Sequence, residues 1–193
     1  MSDAHLFAVG VLLAWLAGIR VYLTVFGVGL AGALGWLELP AALEVTASPW
    51  VMGVSGALAV VEFVTDKIPG VDSGWDFLQT LARIPAGAFL AAAALSPDGE
   101  LSAGMLATGA GVALGSHALK AGGRVLINAS PEPLSNWGAS ATEDVAAIGL
   151  LALALANPLL ALGIAFALSA LLAFALWWVW RRLFRRRPAA GPG

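Results

Sequence analysis

The chain has 193 residues, 60% of them hydrophobic and only 11% charged, with a formal net charge of -2 and no cysteine. A soluble domain carries about 25% charged residues, so this chain has too little polar surface to coat a water-soluble globule, and the bilayer is its natural solvent. Without cysteine there is no disulfide, thiolate metal site or cysteine nucleophile, and two histidines leave no room for a His-rich metal centre.

Taken in order, the N-terminal MSDAHLF has no Lys or Arg ahead of its apolar run, so it does not read as a secretory signal and is kept as part of the mature protein. Leu6 to Leu34 is one apolar stretch interrupted by Arg20, Tyr22 and Thr24. A span needs about 20 residues, so this is one long or broken helix, with Gly18 and Gly27 as the expected weak points. Trp36 to Pro49 is interfacial, with Trp36 and Trp50 at headgroup depth.

Trp50 to about Thr65 is the second span. A charged insert follows, turning at Pro69-Gly70, and Leu81 to Ser96 is the third span. Leu101 to about Leu119 is a fourth, rich in the small residues that let helices approach closely in lipid. A second polar insert, Lys120 to Ser140, contains Pro131 and Pro133, which exclude a regular helix there. Ala141 to Trp180 divides at Asn157-Pro158 into a fifth and a sixth span, closed by Trp177, Trp178 and Trp180 and a run of arginines.

The expected fold is therefore an all-α integral membrane protein of about six transmembrane helices with two polar inserts, either plain loops or re-entrant. Residues 1–183 form a single transmembrane domain and 184–193 a disordered basic, Pro/Gly tail. The arginine-rich C-terminus belongs in the cytoplasm of a cell (inner) membrane protein by the positive-inside rule. Six spans then put the N-terminus there too. The two inserts match at a shift of 62 residues, pairing Pro69 with Pro131, Ser73 with Ser135, Trp75 with Trp137, Thr80 with Thr142 and Gly87 with Gly149. This predicts an internal repeat, 55–95 and 117–157, and binding sites of transporters often lie at repeat interfaces.

Ionisable residues within apolar helices are costly and mark candidate sites. Glu62 and Asp66 share one face of the second helix beside Lys67, and read as a proton or cation site or as an ion cluster with Lys67 and Arg83 snorkelling to the interface. Asp72 and Asp76 flank Trp75 and add oxygen ligands for a divalent ion, or are simply solvated. His117, Lys120 and Arg124 recur on one helical face, and with Asn128 they suit an anionic group or serve as cytoplasmic anchors. Glu143 and Asp144 either offset the dipole at the start of the fifth helix or pair with Lys120 or Arg124. Arg20 requires a partner, with Glu62 or Asp66 favoured.

The stretches GIRVYLTVFGVGL, ELPAALEVTASPWV, VEFVTDKIPGVDSGWD and the SPEP-S-N insert resemble an uncharacterised family of small bacterial integral membrane proteins, a domain of unknown function with relatives in plants. The resemblance covers Gly18 to about Leu160 and implies a polytopic membrane protein with no known substrate. A weaker likeness is to DedA-type membrane proteins, where a Glu precedes a Pro-Gly in a re-entrant loop, as Glu62 precedes Pro69-Gly70 here.

The leading expectation is a small secondary transporter or channel for an ion or small solute, without cofactor or nucleic-acid partner, assembled as a homodimer. Two alternatives stay open: a membrane enzyme or lipid-headgroup handler, and a structural or accessory subunit.

Overall fold

In the computed structural model the described residues are 3–68, 71–96, 99–128 and 133–184, and they are helical with no strand. The helices are α1 (Asp3–Ala33), a 3-10 helix (Ala41–Ala47), α2 (Pro49–Thr65), α3 (Val71–Leu95), α4 (Ala103–Asn128), α5 (Pro133–Ala156) and α6 (Pro158–Phe184). Four are long and apolar enough to cross a membrane: α1, α3, α5 and α6. The 3-10 helix and α2, meeting at 64°, would make a fifth as one bent span.

Local chemistry explains most of the boundaries. Gly35, at φ +70°, ends α1 in a Schellman turn, with the Trp36 amide bonded to the Ala31 carbonyl and the Gly35 amide to that of Gly32. Ser48 caps α2 by accepting from the Val51 amide, and Asn157 caps α6 by accepting from that of Leu160. Pro49, Pro133 and Pro158 each occupy the first helical position, where no amide is needed.

The inserts are mostly helix. α3 starts ten residues before the expected Leu81, and α4 runs on through Lys120 and Arg124 to Asn128. The expected exclusion of helix from Lys120 to Ser140 does not hold: α4 runs to Asn128 and α5 begins at Pro133, while 129–132 lie outside the described residues. Pro69 and Pro131 of the sequence match, and the tail from 185 onward, also lie outside them.

The first helix departs most from expectation. Arg20 has φ -142° and ψ 76°, outside helical geometry, while Gly18 and Gly27 remain helical. In a straight helix Leu13 and Val28 would stand about 22 Å apart. Here Leu6, Val9, Leu13 and Val28 line one small cavity, together with Leu43, Ala94 and Leu155. The two arms of α1 therefore fold back against each other as a hairpin with Arg20 at its apex. Gly18 packs under the Ala113 carbonyl and Gly27 under Leu151, so these glycines serve packing rather than bending.

Both open ends of the hairpin gather with the C-termini of α3 and α5 and the N-termini of α2, α4 and α6: Gly10 meets Ala91 and Leu95, Gly29 meets Met52, and Gly109 meets Ala88 and Ala91. The C-termini of α2 and α4, the N-termini of α3 and α5, and Phe184 lie at the other end. Asp3 and Phe184 thus sit at opposite ends of the bundle, whereas a straight α1 would have put them at the same end. The hairpin-side half is a dry core built from Leu12, Leu13, Leu16, Val28, Leu90 and Leu150. Helix contacts there are close. A Cβ at Gly109 would stand 2.6 Å from that of Ala91, and one at Gly87 would stand 2.4 Å from that of Ala113.

Candidate functional site: a buried ion network at the hairpin apex

Five helices bring charge to one layer. Four of them contribute residues three or four apart, hence on one face: Glu62 on α2 with Asp66 at its C-cap, Asp76, Gln79 and Arg83 on α3, His117, Lys120 and Arg124 on α4, and Ser140, Glu143 and Asp144 on α5. Arg20 enters from the apex of α1. Counted from the hairpin-side helix ends, Arg20, Glu62, Arg83 and Asp144 all lie twelve or thirteen residues deep, about 18–20 Å.

Asp66, fully buried, is the hub. Its Oδ2 accepts from Arg20 Nη1 and from Lys120 Nζ at 3.0 Å, and Arg124 Nη2 stands 3.6 Å away. Its backbone carbonyl at the end of α2 accepts from Arg124 Nη1 at 3.2 Å. A second centre is Arg83, also fully buried, whose Nη2 lies 2.8 Å from Glu62 Oε1 and 2.9 Å from Asp76 Oδ1 and donates to Gln79 Oε1. Lys120 joins the two centres, 3.0 Å from Asp76 Oδ1. On the α5 side Arg20 Nη2 reaches Asp144 at 2.8 Å, Lys67 reaches the other Asp144 oxygen at 3.1 Å, and Arg124 reaches Glu143 at 2.9 Å.

Among the described residues the network holds five cations (Arg20, Lys67, Arg83, Lys120, Arg124) and five carboxylates (Glu62, Asp66, Asp76, Glu143, Asp144), so it is formally neutral. Neutrality is what makes the burial tolerable, since a lone charge at mid-bilayer costs at least about 2.5–3.5 kcal/mol. The pairs are also hydrogen-bonded onward. Lys120 donates to the Ile19 carbonyl, freed by the break at Arg20, and Lys67 and Arg20 both reach Ser140.

His117 is held in one tautomer. Arg83 Nη1 can only donate, so His117 Nδ1, 2.9 Å away, accepts. The ring proton is then on Nε2, which donates to Thr80 Oγ1 at 2.8 Å, and Thr80 donates to the Asp76 carbonyl at 3.1 Å.

Several sequence expectations change. Of the two partners expected for Arg20 it is Asp66 that pairs with it, while Glu62 pairs with Arg83. Arg83 does not snorkel to an interface, and His117, Lys120 and Arg124 are buried rather than surface anchors. Glu143 and Asp144 are not at a helix N-terminus, because α5 begins ten residues earlier, at Pro133. Among the described residues no three His, Asp or Glu side chains are placed to hold a metal ion, since cations fill the space between the carboxylates. The side chains of Asp72 and Asn128 lie outside the described residues.

Gln79, Thr80 and Ser140 belong to the network but were not singled out from sequence. The signal was present, since each continues the three-and-four spacing of the charged residues on its own helix. Among the polar atoms of the layer that are buried without a hydrogen bond are Glu62 Oε2, Asp66 Oδ1, both carboxylate oxygens of Asp76, Gln79 Nε2, Trp75 Nε1 and the Nε atoms of Arg20 and Arg83.

No curated protein and no solved structure matches this chain. A family model described as a domain of unknown function, DUF4126, matches residues 7–182.

Proposed function

This chain belongs to the DUF4126 family, and from that premise we propose that it is a small secondary transporter or channel-like protein of the cell membrane, with the buried ion network as its ionisable site. The observation that carries the reading is the broken helix. Transporters of several folds bind ions where a membrane helix is interrupted near the midplane and frees backbone carbonyls. Here the interruption at Arg20 lies inside the network, and the freed Ile19 carbonyl is already held by a cation. Asp66 takes the central role: three cations converge on it, so a proton or cation arriving there loosens contacts to α1 and α4 together.

In this reading α2 to α6 cross the bilayer and α1 enters and leaves from one face. Among the described residues the hairpin end carries Asp3, Glu38, Glu44 and Glu100 and no Lys or Arg, whereas the other end carries Arg181 and Arg182. The positive-inside rule then puts the hairpin end outside and the C-terminus inside. The small-residue core closes the outer half, so the site communicates with the cytoplasmic side.

A repeat is supported by the helix bounds. Displaced by 62 residues, the start of α3 at Val71 falls on the start of α5 at Pro133, and the 3-10 helix start at Ala41 falls on the start of α4 at Ala103. Thr80 and Thr142 each bond the carbonyl four residues back. These repeats run parallel.

The test is flux in liposomes reconstituted with purified protein, probed with protons, Na+, K+, phosphate and acetate. Flux of one probe, lost in Asp66→Asn, is the expected result. No flux with any probe, from protein that remains folded, overturns the proposal and leaves the ion pairs as a device for holding helices together.

A further inference from the structure

The C-terminal end of α6 carries a charge that nothing in its own stretch of sequence offsets. Asp144 is the last acidic residue, and beyond it the only charged side chains are five arginines between positions 181 and 187. α6 is long and apolar enough to cross a membrane. Trp177 stands nineteen residues beyond Pro158, about 28 Å along the helix axis, close to the thickness of a hydrocarbon core of about 30 Å. With the helix start at one boundary of such a core, Trp177, Trp178 and the arginines after them fall at the other boundary, among the headgroups.

Two of these arginines are held in place. Each lies one helical turn beyond a tryptophan, and helical side chains lean back toward the N-terminus. The Arg181 guanidinium stands 5.1 Å from the centre of the Trp177 ring, and that of Arg182 stands 3.8 Å from the centre of Trp178. Both distances are within the range of about 6 Å for a cation over an aromatic face. Trp177 packs in turn against Phe174, with ring centres 5.8 Å apart. All four side chains of the two pairs are exposed. Stacking uses the face of a guanidinium and not its edge, so the planar fork of N–H donors is left for an acceptor, and less side-chain freedom is lost when one binds.

Phosphate oxygens match that fork, and Arg–phosphate pairs are charge-assisted and frequently bidentate. At headgroup depth the phosphates are those of lipid. A zwitterionic lipid brings a cation along with its phosphate, and the arginine run repels it; an anionic lipid brings none. We propose that Arg181 and Arg182, stacked on Trp177 and Trp178, bind the phosphate of an anionic phospholipid. This binding depends on α6 crossing the bilayer and not on whether the protein moves a solute.

Native mass spectrometry of the full-length protein, released from nanodiscs of equal parts dioleoylphosphatidylglycerol and dioleoylphosphatidylcholine, reads the lipid retained on the chain. Phosphatidylglycerol is expected to predominate. Each arginine near an anionic lipid surface strengthens attraction about fivefold, so Arg181→Gln combined with Arg182→Gln should reduce that preference about twenty-fivefold. Arg181→Lys combined with Arg182→Lys keeps the charge but loses the planar fork, and should retain less than half of the preference. Trp177→Leu combined with Trp178→Leu should do the same. Every substituted side chain is exposed, so the melting temperature in detergent should not move. Full preference in the lysine variant would reduce the site to diffuse charge, and equal retention of the two lipids would remove it; either result overturns the proposal. Displacement of the retained phosphatidylglycerol by excess inorganic phosphate would make free phosphate the ligand and overturn the lipid assignment.

Discussion

Replacing Asp66 by Asn tests whether the network is a coupled unit. Asn keeps the volume but removes the negative charge on which Arg20, Lys120 and Arg124 converge. Asp66 and those three cations are at most 2% exposed, so solvent gives almost no relief. Breaking a buried pair from one side typically costs about 3–5 kcal/mol, because the stranded charge keeps its desolvation penalty. For a chain of this size each kcal/mol shifts the melting temperature by roughly 2–4 °C. Asp66→Asn should therefore melt roughly 6–20 °C below the parent. The decisive comparison is a double-mutant cycle with Arg20→Gln, read by thermal unfolding in detergent. Removing the cation together with the carboxylate restores neutrality, so the double variant should be more stable than the sum of single losses predicts, by about 0.5–3 kcal/mol. Additive losses within about 0.5 kcal/mol would refute the idea that Asp66 and Arg20 compensate each other.

Other consequences follow from the same geometry. The hairpin is tested by topology: the chain has no native cysteine, so Asp3→Cys and Arg182→Cys can be labelled singly in cells with an impermeant maleimide. They should react from opposite faces, and labelling from one face would require a straight α1. Gly18→Ala would set a Cβ 2.3 Å from the Ala113 carbonyl oxygen and should cost about 1–3 kcal/mol by overpacking. Gly111→Ala meets nothing within 4 Å and should be neutral or stabilising, so equal melting temperatures for the two variants would contradict the packing. His117 should appear in imidazole nitrogen-15 spectra at neutral pH as the Nε2–H tautomer, and a doubly protonated ring would contradict the acceptor role assigned to Nδ1.

The sequence was informative about which residues matter because membrane helices exclude charge so strongly. Of the thirteen ionisable or amide residues singled out, Asp72 and Asn128 have side chains outside the described residues, and the other eleven converge on one layer. Their three-and-four spacing already put them on single helix faces. The Asn157-Pro158 break and the close packing of the Gly/Ala-rich fourth helix were legible for similar local reasons: proline cannot continue a helix, and small residues permit contact.

Partner choice was not legible. Glu62 and Asp66 are one turn apart, and only the packing of α3 and of the α1 apex against that face gives Glu62 to Arg83 and Asp66 to Arg20. Nor was the hairpin. Local propensity pointed to Gly18 and Gly27 as weak points, yet the backbone breaks at Arg20, whose guanidinium bridges Asp66 and Asp144 on two other helices. Composition decided that this chain forms helices long and apolar enough to span a membrane and that its few charges must meet. Which charges meet, and that the first helix turns back to meet them, was decided by tertiary packing, because a buried charge can be stabilised only by a partner that the rest of the fold brings to it.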